Sequence, residues 1–228
     1  LRLNSRIETR SPGRPVAGTY DGHLSNAGDR LTLVDCLGGI IADFSYLSTW
    51  YPATDGQGYS LQRVNENAAA ADAASPESWR PSWRYGGTPG TTDPPLDVAP
   101  VVINEIMSHP FPPDSDTIEL FNPGPGSAAI GGWWLTDDLS VPRKYRIPDG
   151  TTLPAGGYLV FSESQFNSLP GTSNNFGLSA QGESVWLFSA DAAGNLTGYA
   201  HGFSFGASEQ GVTFGRYINS LGEELFPA

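Results

Sequence analysis

Apolar and polar residues alternate along this chain in short runs, and the runs are broken by Gly, Pro, Asn and Asp. In Thr117-Ile118-Glu119-Leu120-Phe121 the period of two puts Ile118 and Leu120 on one face and Glu119 on the other, as in a half-buried strand. The same reading predicts strands at 101–107, 132–136, 144–147, 158–161, 184–188, 196–200 and 212–214. Pro148-Asp149-Gly150 and Pro154-Ala155-Gly156-Gly157 have the composition of turns, since Pro presets φ and Gly tolerates positive φ. Asn122-Pro123-Gly124 stops the strand before it, because proline cannot donate to a ladder. In Trp133-Trp134 one ring falls on each face, so at least one should anchor a core. The one helix-favouring stretch is 67–74, which Asn65 or Asn67 could cap and Ser75-Pro76 ends within two turns. Many short strands with frequent turns predict an antiparallel β-sandwich.

The pattern also repeats. Leu24-Ser25-Asn26-Ala27-Gly28-Asp29-Arg30-Leu31-Thr32-Leu33 is echoed by Leu178-Ser179-Ala180-Gln181-Gly182-Glu183-Ser184-Val185-Trp186-Leu187. Asp35 and Gly38-Gly39-Ile40 match Asp191 and Gly194-Asn195-Leu196, and Gly58 to Arg63 match Gly211 to Arg216. Such self-similarity predicts two copies of one structural unit. Between them, Thr92-Asp93-Pro94-Pro95 to Pro100 is proline-rich and denies donors to a sheet edge. The expected organisation is a partial unit over 1–92, a spacer over 93–100 and a nearly complete unit over 101–228.

With 28 Gly and 19 Pro in 228 residues the chain is turn-rich, but 11% aromatic residues, six of them Trp, supply real cores. Its net charge of -12 divides into -3 for residues 1–100 and -9 for the remainder. A field of that sign repels phosphate backbones and argues against nucleic acid as a partner. The cationic clusters, Arg2/Arg6/Arg10/Arg14 and Arg143-Lys144/Arg146, read as solvated charge near strand edges. Cys36, the single cysteine, cannot pair within the chain, and its counterpart in the repeat is Ala192, which argues against a nucleophile. No run of eighteen apolar residues is present, so no membrane insertion is expected within this chain; an export signal is expected outside it.

Four ordered motifs carry a resemblance. Val102-Ile103-Asn104-Glu105-Ile106-Met107, Ile118 to Pro123, Gly132-Trp133-Trp134-Leu135-Thr136-Asp137 and Leu153 to Val160 are similar to the lamin tail domain in its bacterial form. The first unit resembles the carboxy-terminal half of that family through Gly22 to Leu31, Asp55 to Arg63, Ser82-Trp83 and Gly87-Thr88-Pro89-Gly90. The resemblance implies an immunoglobulin-like sandwich in tandem, acting as a binding or structural element of large exported or surface proteins. Measured against the family, the first copy lacks its opening strands and the second its closing Gly-Thr-Pro-Gly segment. A half sandwich leaves a face uncovered, and each large side chain left exposed forfeits about 1.5–3 kcal/mol. The first unit is therefore expected to be marginal alone, or to be covered by the second unit or another chain.

The sequence offers little catalytic chemistry. His23, His109 and His201 are the histidines, with no His-Glu-x-x-His or phosphate-cradling loop around any residue. Glu105 and Glu119 could form a carboxylate pair but are better read as features of paired strands. Asp114, Asp116, Asp137 and Asp138 place hard oxygen ligands in turns and are weak calcium candidates. Two classes of function remain. One is a non-catalytic interaction and spacer module meeting protein or carbohydrate partners outside the cell or at its surface. The other is a carbohydrate-binding accessory of a secreted hydrolase, in which Trp50, Tyr51, Trp79 and Trp83 would form a stacking platform.

Overall fold

The computed structural model describes residues 13, 23–25, 27–56, 58–83, 85–94 and 98–228. The Arg2/Arg6/Arg10/Arg14 cluster lies outside them. The chain divides into two compact units, Leu1–Leu96 and Asp97–Ala228.

In unit 2 the predicted strands form two four-stranded sheets, and every pairing in them is antiparallel. The first sheet orders β11 (Tyr158–Ser162), β6 (Thr117–Phe121), β5 (Val102–Met107) and β14 (Phe214–Gly215). The second orders β13 (Leu196–Gly206), β12 (Gly182–Ala190), β8 (Trp134–Thr136) and β9 (Tyr145–Arg146). The small ladders β7–β10 (Ala128–Ala129, Thr152–Leu153) and β15–β16 (Tyr217–Ile218, Glu224–Leu225) complete it. The inward residues of the sheets meet in one core: Ile103, Ile106, Ile118 and Leu120 on one side, Leu135, Val185, Leu187 and Phe203 on the other. This is the expected all-β, immunoglobulin-like sandwich. Alternation dictates it, since each buried large side chain contributes about 1.5–3 kcal/mol and only one register puts all of them inside.

Trp133 is the buried ring of the tryptophan pair, whereas Trp134 lies outward and donates through Nε1 to the Gly194 carbonyl at 3.0 Å. Asn122 does more than end a strand. Its buried Nδ2 donates to the carbonyls of Gly126, Leu153 and Pro154 at 2.8–3.1 Å, and its Oδ1 accepts the Gly124 N–H at 2.9 Å. One amide thus joins two turns, which explains why an asparagine precedes this proline.

Some expectations shift. β12 and β13 run to nine and eleven residues, because polar Ser, His and Gly positions do not break a strand whose partner supplies the ladder. A short helix, α1 (Glu163–Phe166), was not foreseen; Ser162 and Gln165 form a capping box, and Phe166 plugs the core. The stretch 67–74 is no α-helix but a 3-10 turn over Ala70–Ala74. Neither asparagine caps it: Asn65 Oδ1 accepts the Asn67 N–H instead, an Asx turn that pulls those residues out of helical geometry.

Unit 1 is built differently. A hairpin of β1 (Gly28–Val34) and β2 (Ile40–Leu47) stands beside a ladder of β3 (Leu61–Arg63) and β4 (Trp79–Pro81), linked by 3-10 turns. Polar groups lock its end. Asp93, placed at the start of the spacer by the sequence, is buried and takes Arg80 Nη1, Thr88 Oγ1 and the Trp83 N–H, while Arg80 Nη2 reaches its carbonyl. That network accounts for the Ser82-Trp83 and Thr88-Pro89-Gly90 motifs.

Asn122→Asp replaces an amide NH2, whose two hydrogens are shared among three carbonyls, by an acceptor facing those carbonyls. It is expected to cost unit 2 about 3 kcal/mol, read as a lower urea midpoint with an unchanged slope.

Candidate functional site: two matched hairpins and an acidic sandwich end

Hairpins β1–β2 and β12–β13 share the hydrogen bonds of their entrance and tip. At the entrance, Gly28 N–H donates to the Ser25 carbonyl at 3.3 Å and Gly182 N–H to the Ser179 carbonyl at 3.0 Å. Ser25 Oγ accepts the Ala27 N–H, as Ser179 Oγ accepts that of Gln181. Asp29 then accepts the Ser25 N–H, and Glu183 the Ser179 N–H. Gly28 and Gly182 have φ of +124° and +96°, and a Cβ on either would meet the backbone of the facing strand. At the tip, Asp35 Oδ1 accepts the N–H groups of Leu37 and Gly39, and Asp191 Oδ1 those of Ala193 and Asn195. Each hairpin carries a register shift just before that tip, at Leu33/Val34 and at Phe188/Ala190.

What differs is the cover. In unit 2 the inward face of the hairpin packs on β5 and β6, β12 pairs onward with β8, and β14 pairs with β5. His201 tightens this contact: its Nδ1 accepts the Ile103 N–H at 3.0 Å, so its Nε2 carries the proton facing Glu224 at 3.1 Å. Burial pushes the Glu224 carboxyl up, but His201 and Arg216 outweigh it and hold it at about 2. In unit 1, Leu187 has its counterpart in Leu33, which is 58% exposed where Leu187 is fully buried. Beneath that hairpin Leu31, Phe44, Leu61 and Trp79 line a cavity of about 390 Å³.

The second notable place is one end of the unit 2 sandwich, where carboxylates hold the loop that enters β12. Asp116 Oδ2 accepts the Leu178 N–H at 2.8 Å, next to the Ser179 N–H held by Glu183. Burial raises the Asp116 carboxyl to about 6, with the Glu163 charge adding to the rise and the Leu178 N–H opposing it. Burial raises Glu183 as well. Lys144, the lone lysine, is not a free surface charge here; it is half-buried against Asp137.

The calcium candidates do not converge. Asp116 is committed to Leu178, Asp137 to Lys144 and Asp138 to the N–H and hydroxyl of Ser140, leaving Asp114 by itself on an exposed turn. Among the described residues no three His, Cys, Asp or Glu side chains gather as a metal site. Nor do the four aromatic candidates form one platform. Tyr51 donates to the Pro76 carbonyl at 2.9 Å, and Trp79 donates to the Ala73 carbonyl at 2.8 Å while its ring packs, tilted by 33°, against Phe44 at 5.0 Å. Trp50 is half-buried, and Trp83 is 50% exposed, with no such tie to its ring among the described residues. Glu105 and Glu119 face each other across β5 and β6, and Asn104 Nδ2 donates to Glu119 at 2.8 Å. His109 is a loop residue, its Nδ1 3.1 Å from the Ser208 carbonyl. Cys36 is exposed at the tip of β1–β2.

Residues 95–202 match the Lamin Tail Domain family model. The match runs from the segment before β5 into β13, so it covers the core of the sandwich. Lamin tail domains are non-catalytic and immunoglobulin-like, in keeping with the architecture of unit 2. Searches among curated proteins and among solved structures found no match. The hairpin geometry itself was not legible as a site, although the recurring Ser, Gly and Asp positions signalled it.

A raised carboxyl favours the protonated form in the folded state. Its contribution is therefore complete below the unfolded value near 4 and is lost as pH rises through about 6. Between pH 7 and pH 4.5 the native chain should gain about 2 kcal/mol more than Asp116→Asn, whose amide oxygen still accepts the Leu178 N–H. Urea midpoints of both proteins at the two pH values measure the difference.

Proposed function

We propose that this chain is a non-catalytic structural and interaction module of a larger exported or cell-surface bacterial protein, carrying two lamin-tail-type copies in series. The observation that carries the proposal is the match over 95–202 combined with a second hairpin that repeats the turn bonds of the first. A shared hairpin with Asp35 in place of Asp191 and Gly28 in place of Gly182 supports duplication of one module, since unrelated hairpins have no reason to reuse every capping group. The net charge of -12 supports a surface setting, where self-repulsion keeps a protein soluble. Protein or carbohydrate at the cell surface is the partner class we favour. The accessory carbohydrate role has less support, because only Trp83 of the four candidate rings is presented openly.

Antibodies raised against the purified chain should label intact cells of the source bacterium, and surface proteolysis should remove the signal. Labelling seen only after lysis would overturn the exported setting. Retention on polysaccharide gels that disappears in Trp83→Ala would turn the assignment toward the accessory role.

A further inference from the structure

We infer that a groove beside the 109–115 loop of unit 2 seats an arginine or lysine side chain, presented by an extended apolar segment of a partner protein. The inference rests on the interaction reading above and deepens it by favouring protein over carbohydrate.

The groove has a volume of about 550 Å³, within the range of ligand pockets, and every residue around it lies in the described part of the chain. Its floor is the outward face of the first sheet, with Glu105 and Met107 from β5 and Thr117 from β6; Phe111, Pro113 and Asp114 form its wall. Alternation puts the floor residues there, because Ile106 and Ile118 take the inward positions. The wall is held in place by its own bonds. Gly211 N–H donates to the His109 carbonyl at 2.8 Å, Gln210 Nε2 to the Pro110 carbonyl at 3.2 Å and Asp114 N–H to the Phe111 carbonyl at 2.9 Å. A Cβ on Gly211 would strike the Phe111 ring, so the glycine lets this ring lie close along the backbone while Phe111 stays 58% exposed. A surface fixed in this way loses little freedom when a ligand arrives.

The chemistry of the lining selects the occupant. The Glu105 and Asp114 carboxylates have no hydrogen bond or ion pair among the described residues, in contrast to Asp116, Glu119 and Glu224. Glu105 also stands directly opposite Glu119 in the ladder, where like charges repel. Unit 2 supplies no cation of its own to relieve this: Lys144, Arg146 and Arg216 are taken by Asp137, Asp149 and Glu224, and Arg143 is not part of the lining. A cation from a partner is the complement, and the net charge of -9 over residues 101–228 draws it in. A bare metal ion does not suit the place, since two carboxylates fall short of the oxygens calcium takes, and Met107, Phe111 and Pro113 present apolar surface. An arginine or lysine side chain matches both halves. Its stem lies on Met107 and Pro113, its charge faces Glu105 and Asp114, and the Phe111 ring adds a cation–π contact. A neutral sugar brings no charge for the carboxylates, so the partner is a protein.

The test uses the full chain, isotope-labelled, and the peptide acetyl-Leu-Arg-Leu-amide, with binding followed by amide chemical shifts. Saturable shifts are expected at 105–117 and 211–213, and they should weaken as salt is raised. Replacing the peptide's arginine by citrulline, which keeps the shape and loses the charge, should weaken binding roughly fivefold, as should Glu105→Gln combined with Asp114→Asn. Both positions are exposed, so the double variant keeps its fold, which unchanged shifts in β12 and β13 verify. Phe111→Ala should weaken binding roughly threefold. The site is overturned by no saturable shift, by shifts confined to other parts of the chain, by equal binding of the citrulline peptide, or by a folded double variant that binds as well as the original. Spermidine that binds the groove as tightly as the peptide also overturns it, as do shifts at these residues that follow protein concentration without peptide, because the occupant would then be a free polyamine or a second copy. None of these results touches the surface-labelling experiment, so failure of the groove and failure of the module reading are told apart.

Discussion

A two-stranded hairpin can hide its apolar face only if another sheet lies across it, and that constraint organises this molecule. In unit 2 β5 and β6 supply the cover, and the face of β12–β13 disappears into a core shared by both sheets. Most of the stabilisation follows from that single contact, because water is driven off both sheets together. Polar groups then fix its alignment. His201 joins the hairpin to β5 through the Ile103 N–H, and Asp116 and Glu183 hold the two amides through which the chain enters β12. The corresponding hairpin of unit 1 has the same turns, yet Leu33, Val34, Ile40 and Ile41 are exposed.

Turn formation and face burial are thus separable in this fold. The turns need only local groups, a serine, a glycine at positive φ and an aspartate that gathers backbone N–H donors. Unit 1 compensates for its thin apolar core with the Arg80–Asp93 network, in which a buried carboxylate is satisfied by a guanidinium, a hydroxyl and a main-chain amide. Removing one member of such a network leaves an uncompensated buried charge, so the ends of unit 1 are held by polar complementarity more than by apolar area. Unit 2 spends its charged groups differently. Its carboxylates at the sandwich end accept backbone bonds under partial desolvation, which raises Asp116 and Glu183, while Glu224 has His201 and Arg216 as partners and stays low.

The functional reading rests on that architecture. Unit 2 is a two-sheet sandwich over most of which the Lamin Tail Domain model matches, and its hard oxygen ligands are divided among separate structural tasks. The aromatic residues that composition alone could assign to a sugar platform mostly serve as packing and hydrogen-bonding elements of unit 1.

Alternation and turn residues determined, without any coordinates, that the chain is all-β, that Ile118 and Leu120 face inward together, and that one hairpin design occurs twice. These properties are local: period two and the geometry of a turn depend on residues within a few positions of one another. The tertiary structure alone decided the roles of Asp93, Asn122, Asp116 and His201, which have partners up to 98 residues away in sequence. It also decided that two hairpins with matching turns differ in burial, because the burial of a face depends on the distant segments that pack across it.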